Sequence, residues 1–244
     1  MSNTSIKPMI VDILNDSKQA ILDFYNELSD EERNRKAELK NWQAKEIIIH
    51  NMAWCKLFNQ ALVDIKANKE PRIESNYLEY NDQVYLQTEN QTWQETLDEI
   101  EDVYYLIMNI IEGMSEEDIS RTDFHEVFGS KSVGEQLVGY YYSHLFYHLA
   151  DYDFQNDRTE KAIRLMLDMP DRLAKFDDSP RTKAASYYNV ACFFTGMDEF
   201  EEALKYLELA LPLSPDLKSW AREDPDLAKL LENERFLILT NPEA

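Results

Sequence analysis

Apolar residues recur along the first half of the chain at the spacing of an α-helix. Between Ile6 and Leu28, the residues Ile10, Ile13, Leu14, Ile21, Phe24 and Leu28 fall three, four or seven apart and form one stripe. Ser29-Asp30-Glu31-Glu32 then reads as a capping box that opens a short helix. A second long helix is predicted from near Trp42 to about Lys66, through Ile47, His50, Trp54, Phe58 and Leu62. Pro71 and the polar run from Glu74 to Glu89 predict a long, partly helical connection. Thr92-Trp93-Gln94-Glu95 is another capping box, and Leu97, Ile100, Tyr104, Ile107 and Ile111 give a third helix its apolar face. Gly113 stops that helix, and Ser115 to Asp118 cap a short turn. A loop with Gly129 and Ser130 leads to a fourth long helix, Val133 to Phe154. The expectation is an all-α chain whose first part, residues 1–157, is an antiparallel four-helix bundle with one long crossover.

From residue 158 to residue 244 the units are shorter, broken by Pro170, Pro180, Pro212, Pro215 and Pro225. Tyr187, Val190, Ala191 and Phe194 fall at the packing positions of a first helix, and Ala203, Leu207 and Ala210 at those of a second. Small residues at Ala191 and Ala203 let the two helices approach closely. Over Ala184 to Leu217 this resembles one 34-residue tetratricopeptide unit, closed by Pro215. Trp220 to Leu227 and Arg235-Phe236 are similar to the terminal tetratricopeptide segment of many bacterial proteins. One such unit cannot bury its own face. It is expected to pack on Lys161 to Phe176, on a tail helix from Asp226 to Leu239, or on the bundle.

Composition narrows the function classes. Twenty-five basic and 47 acidic residues leave a formal net charge of −22, so nucleic acid and anionic membrane surfaces are not expected partners. Five glycines are too few for a glycine-rich nucleotide loop. No apolar run approaches the length of a membrane span, and MSNTSIKPMIVDIL lacks the features of a signal peptide. A soluble, cytoplasmic protein is expected. Within the acidity, the stretch from Ile73 to Glu126 holds 15 acids against the single base Arg121. That stretch avoids the histidine-bearing helices and is expected to be a solvated face.

The chemistry is expected in the histidines. His144 and His148, in Ser143-His144-Leu145-Phe146-Tyr147-His148, are four residues apart on a predicted helix. They point the same way, one turn apart, as two imidazoles on one metal require. His50 lies on the apolar side of the second helix and can supply a third ligand if the two helices are neighbours. Three imidazoles leave a position open for water or substrate. The plainer reading is that an inward histidine is a hydrogen-bonded core residue, and HxxxH also occurs by chance. There is no HExxH, because Leu145 follows His144. His125 is expected to be exposed or a cap and is not counted as a ligand. Tyr141, three residues before His144, is a candidate catalytic or ligand-donating group, though such an aromatic stripe is ordinarily core. Glu46, one turn before His50, either orients its ring or is a solvated surface residue. Cys55 and Cys192 read as small buried hydrophobes.

Trp42, His50 and Trp54 on the second helix, followed by His144 and His148 on the last, resemble the DinB/YfiT-like superfamily. Trp42-Gln43-Ala44-Lys45-Glu46 and Trp93 support the likeness, which covers roughly residues 5 to 156. The resemblance implies a metal-binding four-helix bundle with His50, His144 and His148 as ligands, and often a homodimer. It further implies a divalent metal, with zinc or nickel favoured, that activates a low-molecular-weight thiol. The reaction expected is S-transferase-like attack on a small electrophilic substrate, or hydrolysis where water takes the place of the thiol. The competing expectation is a non-catalytic, stress-associated scaffold with a structural or vestigial site. Its tetratricopeptide-like tail would then recruit a protein partner.

Overall fold

The computed structural model of the chain describes residues 5–39, 41–72, 74 and 76–241. The first four residues of the N-terminal segment read above lie outside these, as does Ile73, where the acidic stretch begins. Among the described residues the chain is all-helical with no β-strand; Glu38 and Asn41 form an isolated bridge. It divides into two compact units between Tyr152 and Asp153, a few residues before the boundary expected at 157. The reason lies in Asp153, which is wholly buried and ion-paired to Arg158 at 2.6 Å and to Lys161 at 3.1 Å. These pairs tie the last turn of its helix to the segment that follows.

The first unit contains α1 (Ile6–Glu27), α2 (Asp30–Asn34), α3 (Ala44–Lys66), α4 (Tyr77–Thr88), α5 (Trp93–Glu112) and α6 (Glu116–Ser120). A 3-10 turn at Glu126–Phe128 precedes a composite last helix, made of α7 (Val133–Val138), a π turn (Gly139–Ser143) and α8 (His144–Gln155). The capping boxes at Ser29 and Thr92 form with both reciprocal bonds, and Ser132 with Glu135 makes a third. Trp93, at the start of α5, donates its indole N–H to the Arg33 carbonyl at 3.0 Å. The predicted apolar stripe of α1 is buried throughout, and so are Ile100, Val103, Tyr104, Ile107 and Ile111 of α5.

A chain of polar contacts fixes how the long helices meet. The Tyr104 hydroxyl of α5 donates to Ser17 of α1 at 3.0 Å. Its ring stands edge-on to Tyr141 of the π turn, with centroids 5.2 Å apart. The Tyr141 hydroxyl donates to Asn59 Oδ1 of α3 at 2.8 Å, and Asn59 Nδ2 returns to the Val103 carbonyl of α5 at 3.1 Å. Each of these polar groups is buried with a partner, which is the condition for placing it in a core.

Two local expectations are corrected and one is made specific. The second helix begins at Ala44, because Gln43 is extended (φ −107°, ψ −178°), so Trp42 precedes the helix. The connection after Pro71 contains a full 12-residue helix, α4, capped by Asn76. Its Tyr80 and Tyr85 hydroxyls donate to the carbonyls of Ala53 and Ala37 at 3.1 and 3.0 Å. It is held by polar tips rather than by an apolar stripe, which is why periodicity did not single it out. The last helix is not regular, since the His144 amide bonds the Gly139 carbonyl, five residues back.

The second unit contains α9 (Thr159–Phe176), α10 (Pro180–Gly196), α11 (Phe200–Ala210), α12 (Leu217–Ala221), a 3-10 turn at Pro225–Leu230 and α13 (Glu234–Leu239). Pro170 does not break the chain as expected. It lies inside α9, buried beside Met166, Met169 and Leu173, and this packing offsets the lost backbone bond. Pro180 sits in the first turn of α10, where no amide is needed. α10 and α11 pack through Val190, Ala191, Phe194, Ala203, Leu207 and Ala210, all buried; Tyr187 is half-buried and Tyr188 is buried instead. The single tail helix expected from Asp226 to Leu239 is two elements, because Asn233 caps a new helix at Phe236. The Tyr188 hydroxyl donates to Asp224 at 2.9 Å, and Asp224 caps the 3-10 turn through the Asp226 amide.

Removing Asn59 should be the most damaging lesion in the polar chain. Asn59→Ala strands the buried Tyr141 hydroxyl and is expected to cost about 1–3 kcal/mol. Tyr104→Phe should cost about 0.5–1.5 kcal/mol, because the Ser17 hydroxyl keeps its bond to the Leu14 carbonyl. Urea unfolding of the two variants checks this order.

Candidate metal centre

Three imidazoles meet in the first unit. Regular helix between His144 and His148 puts both rings on one face of α8, and His50 projects from the second turn of α3. His144 Nε2 stands 3.1 Å from His50 Nε2 and 2.9 Å from His148 Nε2. The candidate ligand atoms of the three residues all lie within 4.8 Å of one another, so the group can hold a metal ion. His50 is buried, and His144 and His148 are half-buried. The rings meet edge to face, with centroids 4.6 to 4.9 Å apart.

Hydrogen bonding alone does not account for this geometry. A neutral imidazole nitrogen is either one donor or one acceptor. His144 Nε2 therefore satisfies at most one of its two close neighbours and leaves the other contact repulsive. A cation relieves that conflict, because all three lone pairs then point at it. Nitrogens about 2.05 Å from a shared ion lie about 3.3 Å apart in tetrahedral geometry and about 2.9 Å apart at right angles. The observed 3.1 and 2.9 Å match that spacing.

Electrostatics favours the ligating form. Burial, with His148 as a smaller cause, lowers the His50 pKa to about 2, partly offset by Asn81. Burial lowers His148 to about 4. Burial, then the neighbouring His148 and His50, holds His144 well below its ordinary value. All three rings are uncharged at neutral pH, the state in which imidazole binds metal.

The surroundings hold the rings. Trp42 packs on His50 with centroids 4.8 Å apart, and its indole donates to the Leu39 carbonyl at 3.0 Å. Trp54 stands edge-on to His50 at 6.4 Å and donates to Asn81 Oδ1 of α4 at 3.0 Å. Asn51, wholly buried, places Nδ2 3.2 Å from both the Tyr140 carbonyl and His144 Nδ1. The π turn explains that contact. The His144 amide goes to Gly139, so the Tyr140 carbonyl takes Asn51 at 3.2 Å and Cys55 Sγ at 3.5 Å instead.

The remaining candidates separate clearly. Tyr141 does not face the histidines. The wider π turn between it and His144 rotates it into the core, onto Asn59 and Tyr104. His125 is a cap, accepting from the Val127 amide at 3.3 Å. Cys55 and Cys192 are buried, and burial raises both thiols well above their usual range. Glu46 is not a solvated surface residue; it is buried, 8 % exposed, and its Oε2 has no partner. Asn51 and Asn81 were missed. The polar pair His50-Asn51 inside an otherwise apolar helical run was a signal for Asn51, whereas Asn81 had none.

The family model described as the DinB superfamily matches residues 13–151, more than half of the chain. No curated protein and no solved structure matches the chain.

Asn51 should matter to stability even without metal. Asn51→Ala leaves the Tyr140 carbonyl with the cysteine thiol alone and is expected to lower stability by about 1–3 kcal/mol in the presence of chelator. Urea denaturation is the measurement.

Proposed function

The chain belongs to the DinB superfamily, and we propose that it is a divalent-metal-dependent enzyme whose ion is held by His50, His144 and His148. One observation carries this reading: Nε2 of His144 lies within 3.1 Å of two other ring nitrogens, and a shared cation would satisfy all three. Neutral nitrogen donors suit zinc or nickel. Such an ion stabilises the deprotonated form of a thiol or water at neutral pH. The substrate proposed is a small electrophile attacked by a low-molecular-weight thiol in an S-transferase-like reaction, with hydrolysis as the variant when water is the nucleophile. No protein thiol is needed, in keeping with the burial of both cysteines.

The protein's own residues do the remaining tasks. Trp42 and Trp54 wall the His50 ring and keep bulk water from it, which strengthens electrostatic interactions at the site. A cleft of about 340 Å³ runs between α3 and α4, lined by Ile49, Ala53, Tyr80 and Val84 among others, with Lys56 and Arg72 at its rim. Its size suits a small polar molecule. Lys56 is paired with Glu99, and Arg72 with Glu74.

The rest of the proposal is architectural. The four long helical segments are read as an antiparallel bundle, and α10 with α11 as a tetratricopeptide-like pair. A homodimer and a cytoplasmic location complete it. No described helix is long and apolar enough to cross a membrane. A second reading, a binding scaffold, draws on the second unit, where Trp220 is 55 % and Ile238 is 69 % exposed. Side chains of that size at the surface suit a protein partner.

Elemental analysis of purified protein should find about one divalent ion per chain. His144→Ala should lose it and His125→Ala should keep it. Thiol and electrophile panels on the same sample should give activity that disappears with His144→Ala. A metal-free wild-type protein that is not stabilised by added zinc or nickel would overturn the assignment.

A further inference from the structure

Two residues that line one small space beside the candidate metal centre each carry a buried polar atom without a partner. The atoms are Oε2 of Glu46 and Nδ1 of His50. Both residues are more than nine-tenths buried, at 8 % and 4 % exposure. They lie four apart on α3 and so share one face of the helix. Both line a cavity of about 10 Å³, walled by Trp42, Ile49, Val84 and Tyr85. That volume holds about one water molecule.

Neighbouring groups do not satisfy either atom. Lys45 stands 3.5 Å from the other carboxylate oxygen, Oε1, and gives its short bond, 2.6 Å, to the Gln91 carbonyl. Asn81 accepts from Trp54 and lies near enough to His50 to act on its ring, but makes no well-aligned bond to Nδ1. A buried carboxylate oxygen without a partner is unfavourable. A carboxylate one water away from a metal-bound imidazole is the reverse, because it faces a positive centre and fixes the ring.

We propose that Glu46 is a positioning residue for His50, acting through one water that accepts from His50 Nδ1–H and donates to Glu46 Oε2. This arrangement holds the proton on Nδ1 and leaves Nε2 bare toward His144 and His148. The carboxylate also makes the ring a better donor. Glu46 touches neither substrate nor ion; it acts only through His50. The inference rests on reading the three histidines as metal ligands.

Two measurements on the full-length protein test it. The first is zinc affinity by chelator competition, with circular dichroism as the control for folding. Removing such a partner is expected to weaken binding about 10- to 100-fold, with Glu46→Gln toward the lower end and Glu46→Ala toward the upper. Unchanged affinity in folded Glu46→Gln overturns the proposal. The second is the histidine ¹⁵N spectrum, which needs no variant to report where the His50 proton sits. A proton on Nδ1 of His50, with a resonance that moves in Glu46→Gln while that of His148 does not, supports the link. A proton on Nε2, or a His50 resonance indifferent to Glu46, overturns it. If wild-type protein takes up no zinc, the metal assignment fails, and the zinc-free ¹⁵N spectrum still decides whether Glu46 holds the ring.

Discussion

The first unit is organised around a conflict at one atom. His144 Nε2 has a single bonding direction and two ring nitrogens within reach of it, 2.9 and 3.1 Å away. Holding three imidazoles that close in a mostly apolar setting requires α3 and α8 to be fixed against each other with little freedom. The structure supplies that constraint without using the rings. Trp42 and Trp54 pack on His50 from positions before and after it in the chain, and each indole is anchored by its own hydrogen bond. Asn51 ties α3 to the helix that carries the other two histidines. The rings are held by their neighbours, which is the arrangement of a preorganised site.

The π turn at Gly139–Ser143 is the local device that makes this possible. Adding one residue to a helical turn releases a carbonyl from its usual partner, and such turns recur at functional sites. Here the Tyr140 carbonyl turns to Asn51 and Cys55, so two buried polar groups of α3 find their partner on the facing helix. The same widening rotates the preceding residues relative to His144. Tyr141 joins the core chain of Ser17, Tyr104 and Asn59, while half-buried Tyr140 stacks near Phe58 and Trp54. One inserted residue thus separates the structural tyrosine from the histidine-bearing face.

The helices and their caps were legible because they depend on local rules. Apolar spacing placed α1, α5 and most of α3, and the Ser29 and Thr92 boxes marked two helix starts by side-chain chemistry alone. The histidine trio was legible in part. The i,i+4 pair follows from helical geometry, but His50 required the resemblance, since no local rule states which helices are neighbours. The rest depends on tertiary context. The π turn has no compositional mark in Gly139-Tyr140-Tyr141-Tyr142-Ser143, so a constant 100° per residue sent Tyr141 to the wrong face. α4 is attached through tyrosine hydroxyls bonded to distant carbonyls, and no periodicity encodes that. Pro170 is tolerated because α9 buries a continuous stripe of methionine and leucine around it, which outweighs its intrinsic preference. Glu46 stood out only by its place one turn before His50, and its burial depends on the fold, which brings Val84 and Tyr85 of α4 to the same small space.

That difference bears on how the centre balances charge. Most of the acidity lies where charge is solvated, or meets a lysine, as Glu99 does with Lys56 and Glu101 with Lys18. Three neutral imidazoles contribute no charge, so a divalent cation held among them would keep its full charge. A carboxylate ligand would reduce that charge directly. A carboxylate placed behind one imidazole instead offsets part of the charge through the ring while leaving the ligand set neutral. Glu46 is in that place, next to His50 and shut off from bulk water by Trp42 and Tyr85. Lys45 stands 3.5 Å from Glu46 Oε1 and supplies part of the counter-charge; on the proposed reading, a cation shared by the rings would offset the burial of the unpartnered Oε2.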